Sequence, residues 1–312
     1  MFSKLVFISA VALAAATSPQ LSNSRSSLTL FYQNNLNITD DVNHVGFILL
    51  DPQNRDDASK SCEAIGEKLV SKSLINAYKN DFSQQLAYNA YARRALPIQL
   101  YYIDQGVAEF SQIGNQLNVR AYPLSKLPLP VLCTQSSKQS TPYTSSASPD
   151  TLISLASGGN TYVGYRNQKS FRFLGLRYAD KPKRWTYSKQ FSPRGQTLNA
   201  TSYAPKCPQF GSGDEDCLFL NIQTPYIPKK DSKKDLRPVV FWIHGGGYVG
   251  GSNQDSQTDG GQIASREDIV TVQITYRLGN LGFLAIPGTA IKGNFGIGDQ
   301  ITALDVSLMI CF

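Results

Sequence analysis

Residues Pro238 to Gly251 read P-V-V-F-W-I-H-G-G-G-Y-V-G-G. A hydrophobic run rich in β-branched and aromatic side chains stops at three consecutive glycines, which predicts a buried strand that ends in a loop. Because glycine has no side chain, the backbone of such a loop can approach a ligand closely. Adjacent glycines also occur in flexible loops and tight turns, so the stretch alone leaves an anion-binding loop and a plain turn open.

The composition is that of a globular protein. The chain has 312 residues, of which 41% are hydrophobic and 17% charged, enough for one large core or two smaller domains. The net charge is +7, but Lys and Arg are spread along the chain, and the tightest basic cluster lies at residues 229–235. We interpret that cluster as a solvated loop before a strand and expect no nucleic-acid partner.

The first residues predict secretion. Residues 1–4 form a short basic segment, residues 5–16 are almost wholly apolar, and Ala14 to Ala16 fit a signal-peptidase site. Residues 1–16 are therefore predicted to be a signal peptide. The apolar run is shorter than the ~20 residues that span a bilayer, and we expect no integral membrane segment. In a secreted, extracellular protein, the N-x-S/T sites at Asn37 and Asn199 are predicted glycosylation acceptors.

Five cysteines in a secreted chain predict disulfides with one residue left over. From their positions we pair Cys62 with Cys133 and Cys207 with Cys217, which leaves Cys311 alone near the end. None of the five has metal-site spacing, so no metal site is expected from the cysteines.

Two regions are separated by a Ser/Thr/Pro-rich stretch at residues 136–150, which we interpret as a linker. Before it, residues 17–135 carry no assignable motif and are expected to form a small, disulfide-closed α+β accessory region. Apolar spacing predicts one or two amphipathic helices over residues 58–86, and strands over residues 98–103 and 117–122.

Part of this first region faintly resembles the first helix of C-type-lectin-like modules, in the segment that runs from Ala58 through Cys62 to Val70. The tryptophan-rich centre and the calcium-binding carboxylates of those modules are missing. Carbohydrate contact by residues 17–135 is therefore kept as a hypothesis beside that of an accessory domain without a binding role.

The second region alternates strands with a short helix. Strands are predicted over residues 161–166, 171–174, 216–223, 238–243 and 269–276, and a helix over residues 262–267. The last two strands are continuous hydrophobic runs, which is typical of strands covered on both faces in a mainly parallel sheet.

Six motifs follow one another in the second region. They are F-L-G-L-R-Y-A at residues 173–179, N-A-T-S-Y-A-P-K-C-P-Q at 199–209, E-D-C-L-F-L-N-I at 215–222, H-G-G-G-Y at 244–248, T-Y-R-L-G-N-L-G-F-L at 275–284 and G-N-F-G-I-G-D-Q at 293–300. Their types and order resemble type-B carboxylesterases and lipases, the cholinesterase-like branch of the α/β-hydrolases. The resemblance covers roughly residues 151–305, and Gln223 departs from it because an apolar residue is usual there.

The resemblance implies the N-terminal part of an α/β-hydrolase fold over residues 151–305, with a mainly parallel and incomplete sheet. It implies hydrolysis of a small-molecule or lipid carboxylic ester through a serine acyl-enzyme, without a cofactor. A non-catalytic, secreted cholinesterase-like protein used for binding or adhesion is the alternative. An in-frame G-x-S-x-G beyond Asp305 would distinguish the two.

The resemblance also assigns roles to residues. It implies that Gly246 and Gly247 donate backbone N–H groups to the oxyanion, with a third donor from the residue after the nucleophile. It implies the Cys207–Cys217 disulfide as well. His244 is interpreted as a structural loop residue. Asp299 and Gln300, which lie where the family begins its next helix, are also interpreted as structural.

The nucleophile, base and acid of a serine hydrolase are not found among these residues. Neither histidine, His44 or His244, stands where the family has its base, and no G-x-S-x-G occurs, the nearest sequence being G-G-S-N-Q at residues 250–254. Residues 306–312 depart from the family, and Val306-Ser307 can be encoded by GTAAGT, a common intron start. We therefore expect an aberrant, translated-intron C-terminus, a chain that is inactive as given, and poor folding.

Overall fold

The computed structural model describes residues 26–121, 127–139, 147–229, 232 and 235–311. The predicted signal peptide lies outside the described residues, as do residues 140–146 of the predicted linker, the last residue of the strand predicted over 117–122, and the side chain of Cys311. Within the described ranges, no helix has both the length and the apolar character needed to cross a bilayer.

The described strands are β1 (Leu28–Phe31), β2 (Phe47–Gln53), β3 (Ile98–Ile103), β4 (Gly106–Ser111), β5 (Gln116–Arg120), β6 (Leu129–Thr134), β7 (Leu152–Ser157), β8 (Asn160–Arg166), β9 (Phe171–Arg177), β10 (Thr197–Asn199), β11 (Phe219–Thr224), β12 (Tyr226–Ile227), β13 (Val239–Ile243) and β14 (Val270–Ile274). The described α-helices are α1 (Arg55–Glu63), α2 (Lys72–Ala77), α3 (Lys79–Tyr91), α4 (Gly260–Glu267), α5 (Gly279–Phe283) and α6 (Phe295–Cys311).

The first sheet has seven strands in the order β12-β1-β2-β6-β3-β4-β5. The strand predicted over residues 98–103 is confirmed as β3. The strand predicted over 117–122 is β5, which begins one residue earlier, at Gln116. The predicted helical stretch divides into three helices. Gly66 has a positive φ of 72° after α1, and Ser71 caps α2 by accepting a hydrogen bond from Leu74 N at 3.1 Å.

Helix α3 and the disulfide close the core of this region. The ring of Phe82 in α3 stacks on that of Phe47 in β2 with centroids 4.8 Å apart, and both side chains are fully buried. The predicted Cys62–Cys133 disulfide is present and joins α1 to β6 across 71 residues of sequence. It constrains the unfolded chain over a long loop, which stabilises the fold by roughly 4 kcal/mol in the loop-entropy model.

The second sheet has the order β10-β8-β9-β11-β14-β13, and β7 also pairs with β8. The α/β class is confirmed, but the prediction of a mainly parallel sheet is wrong for the described strands. Among the described strands of this second sheet, only the pairs β8–β10 and β13–β14 are parallel. Strands β8 and β9 are joined by residues 167–170 alone, a connection that allows only antiparallel pairing, whereas the chain returns from β13 to β14 through α4.

Strand β13 is also more exposed than the sequence predicts. Val240, Trp242 and Ile243 are 42%, 40% and 43% exposed. Among the described strands β13 pairs with β14 on one side and has no neighbour on the other, so a strand that is apolar throughout is covered only in part. The prediction of cover on both faces is therefore wrong for β13, while β14 is largely buried as predicted.

The two regions are joined by a shared sheet and by ion pairs. Strand β12, from the second region, pairs antiparallel with β1, from the first. Buried Arg166 donates to Glu67 at 2.5 Å, and the same carboxylate accepts from Ser136 N at 2.9 Å, where the predicted linker begins. Arg94 of the first region forms an ion pair with Asp268 of the second. The domain boundaries themselves stay predictions.

Candidate active site

The glycine-rich loop follows β13 directly and has a backbone that requires glycine at one position. Gly246 has φ of 114°, and a Cβ built there would lie 2.1 Å from Gly250 O. Gly247 has φ of 60° but open space around its missing Cβ. A side chain at 246 would therefore push the loop apart, whereas one at 247 would project into the open space in front of it.

The N–H groups of this loop are free to meet a ligand. Within the described residues, neither Gly246 nor Gly247 donates its N–H to a protein acceptor, and both residues are exposed. The loop closes instead through the carbonyl oxygen of Gly246, which accepts from Val249 N at 3.1 Å and from Gly250 N at 3.2 Å. Exposed, unpaired N–H groups of this kind can bind a developing negative charge.

His244 lies under the loop as a buried, ring-stacked side chain. Its ring stacks on that of Tyr276 with centroids 4.4 Å apart, and its Nδ1 lies 2.9 Å from Gly245 O, which places the proton on Nδ1. The Tyr276 hydroxyl donates to His244 O at 3.0 Å. Burial lowers the pKa of His244, despite an opposing effect of the hydrogen bond to Gly245, so the imidazole is neutral.

The other nitrogen of His244, Nε2, is buried and has no hydrogen-bond partner among the described residues. No carboxylate there orients the ring as a general base requires. The contacts of His244 are with the loop backbone and Tyr276, so its geometry agrees with the structural role interpreted from the sequence.

Tyr248 connects the loop to the segment after β14. Its carbonyl oxygen accepts from Gly279 N at 2.7 Å, and its ring lies 4.8 Å from that of Phe283 in α5. These contacts bring the H-G-G-G-Y and T-Y-R-L-G-N-L-G-F-L motifs together. Motifs far apart in sequence thus form one support for the loop.

Arg277 and Asp299 form a buried ion pair behind this support. Asp299 is 0% exposed and accepts from Arg277 Nε at 2.7 Å, Nη2 at 2.8 Å and backbone N at 3.1 Å. Arg277 also donates to Thr186 O at 2.7 Å. Asp299 thereby anchors the N-terminal part of α6 to the segment that follows β14.

The second histidine, His44, lies in the first region between two carboxylates. Its Nδ1 is 3.0 Å from Asp81 Oδ1 and its Nε2 is 3.1 Å from Asp40 Oδ2. Ser252, the serine of the sequence nearest to G-x-S-x-G, is buried and accepts from Gln254 N at 3.2 Å. The hydrogen bonds of His44 are therefore with carboxylates of the first region and not with the glycine-rich loop.

The described residues also contain no group of three or more His, Cys, Asp or Glu side chains arranged to hold a metal ion. The predicted Cys207–Cys217 disulfide is present. Sequence reasoning missed two residues that bind the backbone of the loop, Tyr276 at His244 O and Gln209 at Gly251 N. Both stand inside motifs of the resemblance, but the motifs do not show which backbone groups these side chains contact.

The second region of the chain is similar to known esterases. The model of the carboxylesterase family matches residues 156–306. Esterase E4 of Myzus persicae is 39% identical over 157 residues, which are 47% of this chain and 28% of that protein. Bile salt-activated lipase of Bos taurus is 35% identical over 144 residues, or 42% of this chain and 24% of the lipase.

Among solved structures, the carboxylesterase EST55 of Geobacillus stearothermophilus matches 51% of this chain and 35% of its own with a TM-score of 0.45 and 32% identity. The chain spans about a quarter of the length of the two relatives named above. The matched residues contain all six motifs and the glycine-rich loop. Residues 156–306 thus belong to the carboxylesterase family.

Proposed function

We propose that the complete protein hydrolyses carboxylic esters through a serine acyl-enzyme, and that Gly246 and Gly247 form part of its oxyanion hole. The observation that carries this proposal is the exposed glycine-rich loop with two unpaired N–H groups, within a segment of the carboxylesterase family. When a nucleophile attacks the ester carbonyl, its oxygen becomes negative, and fixed N–H donors stabilise that charge.

The 312 residues contain the oxyanion loop but no G-x-S-x-G. We therefore place the nucleophile, the base, the acid and the third N–H donor outside them, and expect no ester turnover from the 312 residues alone. Loss of one donor from a hole of this type costs about 10²–10³ in rate.

We propose a small-molecule or lipid ester as substrate, and secretion with glycosylation at Asn37 and Asn199. Both asparagines are exposed, and in each sequon the threonine hydroxyl donates to the asparagine Oδ1, at 2.7 Å for Thr39 and 2.8 Å for Thr201. An exposed acceptor is what a glycosylation site requires. Carbohydrate contact by residues 17–135 stays a prediction.

The test substitutes the loop in the complete protein, with the coding sequence read beyond Asp305. Gly247→Ala places a methyl group in the open space in front of the N–H groups. We expect it to lower kcat for p-nitrophenyl butyrate at least ~100-fold, the size of a lost oxyanion contact.

Gly158→Ala is the matched control. Gly158 has φ of 56° and open space around its missing Cβ, so the backbone strain equals that at Gly247 while the position lies in the turn between β7 and β8. We expect full activity from it. A folded complete protein without turnover, or equal rates for the two variants, contradicts the proposal, and the first outcome favours the non-catalytic binding protein.

A further inference from the structure

The loop is held from a second side by the side-chain amide of Gln209. Its Nε2 donates to Gly251 O at 2.8 Å, and its Oε1 accepts from Gly251 N at 2.8 Å. One amide thus satisfies both backbone groups of a single glycine. We propose that Gln209 is a positioning residue that sets the glycine-rich loop for oxyanion binding, an inference that rests on the proposed function.

The backbone of Gln209 is itself fixed by a small hairpin. Gln209 N donates to Ser212 O, and Ser212 N donates to Gln209 O, both at 2.9 Å. The two residues between them, Phe210 and Gly211, have φ of 48° and 77°, as a two-residue type I′ turn requires. The hairpin therefore presents the Gln209 side chain from a defined backbone position.

The disulfide closes this hairpin at its open end. Cys207 and Cys217 are linked with a Cα–Cα distance of 4.9 Å, ten residues apart in sequence. Gln209 Nε2 also donates to Cys207 O at 3.1 Å, so the side chain is tied to its own hairpin as well as to the loop. A rotamer held at both ends loses little further entropy when it binds the loop.

Gly251 is the point at which a fixed backbone has most effect on the loop. Its φ is 112°, and a Cβ built there would lie 2.4 Å from both Gly245 O and His244 Nδ1. The backbone of Gly251 therefore packs directly against the residues that precede Gly246. On the same side, the ring of Phe210 covers Gly250, whose added Cβ would lie 2.5 Å from Phe210 Cε2.

The glycine-rich loop thus has two independent anchors. Tyr276 binds the carbonyl oxygen of His244, the first residue of the loop. Gln209 binds the backbone of Gly251, the last residue of the loop. Donors that are fixed before the reaction need no reorganisation when the charge develops. The role inferred for the Cys207–Cys217 hairpin is therefore alignment of the loop as well as stabilisation of the chain.

The test measures amide hydrogen exchange at Gly251 in the complete protein by NMR, which requires no turnover. In Gln209→Leu we expect exchange at Gly251 to be about tenfold faster, because both hydrogen bonds are lost. Exchange at Val272, in the buried strand β14, should not change. Gln84→Leu, at an exposed glutamine of α3, is the control and should leave both amides unchanged.

Gln209→Glu separates positioning from general loss of structure. Above the carboxyl pKa of about 4.3, the introduced carboxylate faces Gly251 O and Cys207 O and cannot donate to either. Below that pKa the carboxylic acid can both donate and accept, as the amide does. We expect protection of Gly251, corrected for the intrinsic exchange rate, to return as the pH falls in Gln209→Glu and not in Gln209→Leu.

Unchanged exchange at Gly251 in Gln209→Leu overturns the proposal. If exchange at Val272 also accelerates in Gln209→Leu, the pH response of Gln209→Glu distinguishes positioning from general loss of structure. Protection of Gly251 in Gln209→Glu that does not depend on pH then overturns the proposal. In the complete protein Gln209→Leu should lower kcat with little change in KM. A change in exchange without any hydrolysis by the unsubstituted protein contradicts the proposed function and leaves the positioning role intact.

Discussion

The hydroxyl of Tyr276 donates to the carbonyl oxygen of His244, and the two rings stack with centroids 4.4 Å apart. The hydrogen bond and the stacking fix the first residue of the glycine-rich loop to the segment that follows β14. Because Tyr276 is 1% exposed, water cannot replace its hydroxyl without a rearrangement.

Removing that hydroxyl should weaken the fold. We expect Tyr276→Phe to lower the free energy of unfolding by about 1 kcal/mol, since a buried hydrogen bond is lost and His244 O is left without its donor. Urea denaturation measures the change. Tyr91→Phe, at a tyrosine that is 78% exposed in α3, should have no effect, and equal losses in the two variants would contradict the prediction.

The two histidines should give opposite pH dependences of stability. Burial lowers the pKa of His244, so the unfolded chain binds a proton that the folded chain does not, and stability falls as the pH drops below about 6.5. For His44, burial opposes the charge, but hydrogen bonds to Asp81 and Asp40 outweigh it and raise the pKa. Its stabilisation is complete below about 6.5 and is lost as the pH rises through the folded pKa.

The two opposite pH dependences of stability are measured by urea denaturation at about pH 5.5 and about pH 8. We expect His44→Gln to destabilise the protein more at the lower pH, and His244→Gln to destabilise it more at the higher pH. The carboxylates of Asp40 and Asp81 are the charged groups bonded to His44. A destabilisation by His44→Gln that is the same at both pH values would refute this account.

Removal of one partner of the ion pair between Arg277 and Asp299 should lower the free energy of unfolding strongly. Asp299→Asn removes the charge that compensates buried Arg277, and we expect a loss of about 3 kcal/mol in the free energy of unfolding. Asp305→Asn, at an exposed position of the same helix, is the matched control and should change stability by less than about 0.5 kcal/mol. A small effect at Asp299 would mean that the pair contributes little.

The carboxylate of Glu67 should couple the two regions. It accepts from Arg166 at 2.5 Å, from Ser136 N at 2.9 Å and from Thr134 Oγ1 at 2.5 Å. Glu67→Gln leaves Arg166 buried without a counter-charge, and we expect a loss of about 3 kcal/mol. Scanning calorimetry of the complete protein should show one transition when it carries no substitution. Glu63→Gln, an exposed neighbour, is the control, and an unchanged melt in Glu67→Gln would contradict the coupling.

The sequence predicts the local elements of this fold better than their partners. Residues 98–103 form the predicted strand because β-branched and aromatic side chains favour an extended, half-buried backbone wherever it pairs. The same pattern in β13 predicts cover on both faces, yet Trp242 is 40% exposed, since cover depends on neighbours that a local pattern does not specify. The local pattern does not predict strand direction either, because direction follows from the lengths of the connections between strands.

The candidate site divides in a similar way. Gly246 and Gly247 stand out in the sequence because three consecutive glycines occur once in the chain, at the end of an apolar run. Gln209 does not stand out, since a glutamine beside a cysteine has many uses and its contact with Gly251 spans 42 residues. Side chains that bind a backbone group far along the chain leave no periodic signal in the sequence.

The pairing of β1 with β12 bears on whether the two regions can be separated. A module that is merely tethered can be removed without exposing a strand edge, because its sheet is complete without the rest of the chain. Here Leu28 is paired with Ile227, a residue from beyond the second disulfide. Excision of residues 17–135 would leave β12 without its partner and expose the edge of that strand, so the second region cannot be separated from the first without loss of backbone pairing.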